Sequence, residues 1–90
     1  MSGTPLPRIK GSVMTRQEGE EYYALNLDTG ELYRMNRSGW DILRCCQRGL
    51  TVEQAVAEIA SQYEPGQEEA ILEDVRESVG RLREMGFVEE

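Results

Sequence analysis

Between Tyr22 and Met35 the larger apolar side chains follow a two-residue alternation, and beyond Asn36 they recur at every third or fourth position. A short strand is predicted over Ser12–Arg16, followed by the polar turn Gln17-Glu18-Gly19-Glu20-Glu21. A second is predicted over Tyr22–Leu27, where Tyr23, Leu25 and Leu27 alternate with Ala24 and Asn26. Asp28-Thr29-Gly30 carries hairpin chemistry, since Asp closes a local turn and Gly accepts a positive φ. Glu31–Met35 continues as a third strand, with Tyr33 and Met35 on one face and Leu32 and Arg34 on the other. Three strands at this spacing imply an antiparallel meander.

Past Asn36, Gly39, Ile42, Leu43 and Cys46 form the apolar arc of a helix that Gly49 ends. Thr51-Val52-Glu53-Gln54 has the pattern of a capping box, and Val52, Ala55, Val56, Ile59 and Tyr63 share one face of the helix it opens. Pro65-Gly66 breaks that helix. A third is predicted from Gln67 to Met85, with Ile71, Val75, Leu82 and Met85 along one stripe and Leu72 and Val79 widening it on one flank. Gly86 is placed as its stop, and Phe87-Val88 can fold back onto the core. Strands followed by helices argue for an α+β fold with one sheet face on the helices. The third strand leaves a tight hairpin and runs straight into a helix, so its outer edge is expected to be open, with unpaired N–H and C=O groups. Residues 1–11, with Gly3, Pro5, Pro7 and Gly11, read as a flexible N-terminal arm, and 12–90 as a single domain.

Composition narrows the chemistry. The net charge is −7 and is unevenly distributed. Residues 1–50 hold seven Lys/Arg and six Asp/Glu, a net of +1, while 51–90 hold three and eleven, a net of −8. There is no His, which removes the commonest general base and metal ligand. Cys45 and Cys46 are adjacent, so they cannot bridge distant segments, and their Cβ vectors diverge by about 100° in a helix. With no further Cys or His to complete a zinc site, they read as buried filler rather than as a redox or metal pair. Glu68, Glu69, Glu73, Asp74 and Glu77 fall at helical spacing mostly opposite the apolar stripe, as a solvated face does. Periodicity places Tyr23, Tyr33 and Tyr63 in the core, turns Tyr22 the other way and sets Trp40 on the rim of its helix. No apolar run approaches the ~20 residues of a membrane span, and the first residues lack a signal-peptide pattern. The expectation is a soluble, cytoplasmic protein that is not an enzyme and uses no cofactor or metal.

The run Leu25-Asn26-Leu27-Asp28-Thr29-Gly30-Glu31-Leu32-Tyr33-Arg34-Met35-Asn36-Arg37-Ser38-Gly39 resembles the hairpin and following helix start of PqqD-like proteins. Ile42, Gly49-Leu50-Thr51, Tyr63, Asp74-Val75 and Leu82-Arg83-Glu84-Met85-Gly86-Phe87 fall where that family's pattern expects them, so the resemblance spans roughly residues 12–88. It implies a winged helix-turn-helix-like domain, a RiPP recognition element, that binds the leader segment of a ribosomally made precursor peptide. Such a domain presents the precursor to a maturation protease or other modifying enzyme. The segment Arg44-Cys45-Cys46-Gln47-Arg48 departs from the quinone-cofactor branch and favours the lasso-peptide branch, whose leaders the resemblance implies carry a Tyr followed three residues later by Pro.

Capture by strand addition matches the open edge of the third strand. The residues expected to bind the peptide are Glu31, Leu32, Tyr33, Arg34 and Met35 on the strand. On the third helix they are Leu72, Val75 and Val79 as an apolar floor, with Arg76 and Arg83 beside it. The alternative is a winged-helix DNA-binding regulator. The third helix, with six acidic and three basic residues, opposes the phosphate neutralisation that DNA affinity needs. Neither nucleic acid nor membrane is expected as a partner.

Overall fold

The computed structural model describes residues 3–63 and 66–89. Three strands, β1 (Val13–Glu18), β2 (Glu21–Asn26) and β3 (Leu32–Met35), are followed by three helices, α1 (Arg37–Gln47), α2 (Val52–Ala60) and α3 (Glu68–Glu84). The sheet is antiparallel in the order β1-β2-β3, so β3 is an edge strand. This is the α+β order expected. Pro65, the expected breaker before α3, lies outside the described residues. β1 runs two residues further than its alternation suggested. Glu18 pairs directly with Glu21 across a turn of only Gly19 and Glu20, and exposed polar residues are compatible with an edge strand.

The helix ends follow from local chemistry. The Asn36 side chain accepts the Gly39 N–H at 2.9 Å and opens α1. Thr51 and Gln54 form the reciprocal capping box of α2 at 3.1 and 2.9 Å. At the far ends, Gly49 and Gly86 both adopt φ 74°. Each closes a Schellman motif: Leu50 N–H donates to the Cys45 carbonyl and Phe87 N–H to the Leu82 carbonyl. The second of these turns Phe87 and Val88 back into the core, where both are fully buried.

Two apolar clusters hold the layers together. One joins the sheet to α1 and the end of α3 through Tyr22, Ala24, Met35, Leu43, Leu82 and Phe87. The other joins α1, α2 and α3 through Ile42, Cys46, Ala55, Ile59, Ile71 and Val75.

β2 buries the opposite face from the one its apolar count suggested. Tyr22, Ala24 and Asn26 point inward, whereas Leu27 is exposed and Tyr23 and Leu25 are half-buried on the outer side. α1 packs over β2, and the small Ala24 permits that approach. Tyr22 lies against Trp40 with ring centroids 5.3 Å apart, which buries Trp40 rather than leaving it on a rim. Asn26 is tolerated inside because its amide is satisfied. Its Oδ1 accepts from Ser12 Oγ and the Asp28 N–H, and its Nδ2 donates to the Gly86 carbonyl.

The arm is likewise laid against the domain over its described part. Leu6 is buried in the helical cluster, its N–H donating to the Leu50 carbonyl, and Ile9 bridges to Val88. One buried leucine and backbone pairing to two segments thus lie within this Pro- and Gly-containing stretch.

Candidate functional site

β3 presents an open edge. The Asn26 N–H donates to the Glu31 carbonyl at 2.9 Å, which makes residues 31, 33 and 35 the hydrogen-bonded positions opposite β2. By the alternation of an antiparallel ladder, the N–H and C=O groups of Leu32 and Arg34 point away from the sheet. Their side chains lie on the outer face. Leu32 is 59% exposed and aligned with Leu25 and Met14 across the strands. Arg34 pairs with Glu21 at 2.9 Å, and Glu21 also accepts from the Tyr23 hydroxyl, a bond that raises the Tyr23 pKa. The other parity faces the helices. Tyr33 is half-buried, edge-to-face on Phe87 with centroids 6.2 Å apart, and Met35 is buried against Gly39.

Beside this edge lies a polar cleft of about 260 Å³ between β3 and α3. Its strand wall is Tyr33–Asn36, and its helix wall is Glu77, Ser78 and Arg81. Further along α3, toward the start of α1, an apolar hollow of about 350 Å³ is floored by Ile42, Ile59 and Ile71 and rimmed by Tyr63, Ala70 and Asp74. Tyr63, expected in the core, is 47% exposed on that rim. Gln67, Ala70, Asp74, Glu77 and Arg81 recur at helical spacing along one flank of α3, so the two depressions follow one side of the helix.

The expected strand residues therefore come together at one edge, but the expected helix residues do not join them. Leu72 faces α2, in a groove with Val56 and Ala60, and Val79 packs on the α1–α2–α3 cluster. Val75 is 1% exposed and is core. Arg76 and Arg83 are exposed and lie outside the cleft. The physical reason is angular. The buried stripe of Ile71, Val75 and Leu82 has two flanks, and the apolar one is drawn into helix packing, leaving the charged one opposite β3. Sequence reasoning assigned Asp74 and Glu77 to a solvated face. The available signal was their recurrence with Ala70 and Arg81 on the flank not needed for the core.

The buried thiols are chemically quiet. Burial pushes Cys46 up to about 12, and burial raises Cys45 as well, so both stay protonated near neutrality. Among the described residues no three His, Cys, Asp or Glu side chains converge to hold a metal ion, and no helix is long and apolar enough to cross a membrane.

The arrangement defines an α+β domain whose sheet has one edge left open over a cleft. The chain belongs to the PqqD family: the family model described as coenzyme PQQ synthesis protein D matches residues 21–88. Two solved structures share the fold. One, TbiB1 in complex with the TbiA(beta) leader peptide, is 22% identical with a TM-score of 0.79, covering 91% of this chain and 94% of that one. The other, lasso peptide synthetase B1 complexed with the leader peptide, is 19% identical with a TM-score of 0.80, covering 94% of this chain and 99% of that one. A search of curated sequences finds no match.

Proposed function

We propose that this protein is a leader-peptide-binding adaptor of a lasso-peptide pathway, and that it captures the precursor by antiparallel strand addition to β3. The observation that carries the reading is the outward-facing Leu32 and Arg34 backbone beside a cleft. Two chains that share its fold were solved with leader peptides. The apolar hollow over Ile42, Ile59 and Tyr63 suits an aromatic or prolyl side chain lying N-terminal to the paired segment. The protein carries no catalytic group of its own in this reading. It works in the cytoplasm by raising the effective concentration of the precursor beside a maturation protease or other modifying enzyme.

The test is titration calorimetry with a lasso-type leader peptide that carries a Tyr followed three residues later by Pro. Arg34→Pro removes one outward N–H without touching the β2 ladder, and Pro is tolerated on edge strands. Loss of that hydrogen bond together with ring hindrance is expected to weaken binding about tenfold. Arg34→Ala keeps the N–H and controls for the lost pair with Glu21. Equal affinity of the folded Pro and Ala variants would remove strand addition.

A further inference from the structure

We infer that the β3–α3 cleft reads a charge register in the bound peptide, a basic residue followed two positions later by an acidic one; this rests on the peptide-binding reading above. The cleft is electrically two-ended. Glu77, with Asp74 beyond it on the rim of the adjoining hollow, stands toward the α1 end, while Arg81 stands toward the Phe87 end and Ser78 lines the cleft with them. Among the described residues none of these three charges has an ion-pair partner, and Glu77 and Arg81 do not bridge each other. The other nearby cations are engaged elsewhere, Arg34 with Glu21 and Arg37 with Asp41. The charges available to an incoming chain are therefore an acidic pair and one guanidinium.

Geometry fixes the order. Tyr33 packs on Phe87, which follows α3, whereas Ser38, which follows β3, lines the hollow with Asp74 near the start of α3. α3 thus runs opposite to β3, and a peptide antiparallel to β3 runs with α3. Its residue opposite Met35 then meets Glu77, and its residue opposite Tyr33 meets Arg81. Those two peptide positions share a face and are about 6.8 Å apart, close to the roughly 6 Å along the axis between helix positions four apart. Basic-x-acidic sequences satisfy both ends of the cleft, and acidic-x-basic sequences meet like charge at both.

The probe is a displayed library of random peptides about a dozen residues long, selected against the parent and against the double variant Glu77→Arg/Arg81→Glu. The parent is expected to enrich basic-x-acidic pairs and the double variant acidic-x-basic pairs. Synthetic peptides of the two registers should differ about tenfold in affinity for the parent, with the preference reversed by the double variant and reduced by salt. Binders that are sensitive to Arg34→Pro but show no charge preference, or the reverse preference on the parent, would overturn the register and leave peptide capture standing. If no peptide is enriched, or all binders are indifferent to Arg34→Pro, the strand-addition reading falls and the register with it.

Discussion

On one flank of α3, Leu72 lines an apolar groove with α2 and Val79 packs on the three-helix cluster; on the other, Asp74 rims the apolar hollow and Glu77 and Arg81 line an open cleft beside β3. The helix is the same and the buried stripe between the flanks is shared. What differs is the neighbour. The first flank is half-buried against apolar side chains of the helical layer, and such burial is favourable at about 25 cal/mol per Å². β3 offers no such cover. Its helix-facing side chains, Tyr33 and Met35, are already packed on Phe87 and Gly39. A charged flank facing an edge strand is left hydrated and accessible, which is the condition a peptide-binding surface requires.

The sharpest way to break this comparison is to put charge into the apolar flank. Val79→Asp buries a carboxylate against the three-helix cluster and is expected to lower stability by about 2–4 kcal/mol. The leader affinity of the folded fraction should be unchanged. Urea unfolding and titration calorimetry on the same preparation separate the two effects. Weakened binding with intact stability would mean that the apolar flank, not the charged one, meets the peptide.

How much of this was legible in the sequence differs between elements for reasons of symmetry. The Thr51–Gln54 capping box, the Gly49 and Gly86 stops and the edge position of β3 depend only on local chemistry and chain order, and were read directly. β2 offered two alternating faces, and apolar content favoured Tyr23-Leu25-Leu27. What decides between the faces is the approach of α1 over Ala24 and a satisfied amide at Asn26, both set by residues distant in sequence. The helix raised the same problem around its axis. Periodicity located the stripe of Ile71, Val75 and Leu82, but a stripe does not say which flank turns toward the sheet. The expected strand residues share one edge, whereas the expected helix residues lie on the flank turned away from it.

A smaller effect is expected where α3 ends. Gly86 at φ 74° lets Phe87 drop beneath Tyr33, so it couples the helix stop to the strand that carries the open edge. A Cβ there has open space around it, so the cost of Gly86→Ala is conformational alone, about 1–2 kcal/mol. Thermal unfolding should show the loss. Binding measured well below the transition should be unaffected, because the capped geometry is retained in the folded molecules.

The finest discrimination compares two arginines on the same helix. Arg76 and Arg81 are five positions apart, about 140° around the axis, and both are exposed. Arg81 lines the cleft opposite Tyr33, and Arg76 does not. Replacing either with Ala removes one positive charge from an acidic protein, so the long-range electrostatic change is the same and is largely screened at physiological salt. A difference between them must then come from local contact. Arg81→Ala is expected to weaken a leader carrying an acidic residue opposite Tyr33 by about 0.5–1 kcal/mol, a few-fold in affinity. Arg76→Ala should leave that affinity within error, and neither should move the unfolding midpoint appreciably. Fluorescence anisotropy with a labelled leader resolves such a difference. Equal losses in the two variants would mean that the peptide senses only the net charge of α3, and the distinction between its flanks would then be structural without being functional.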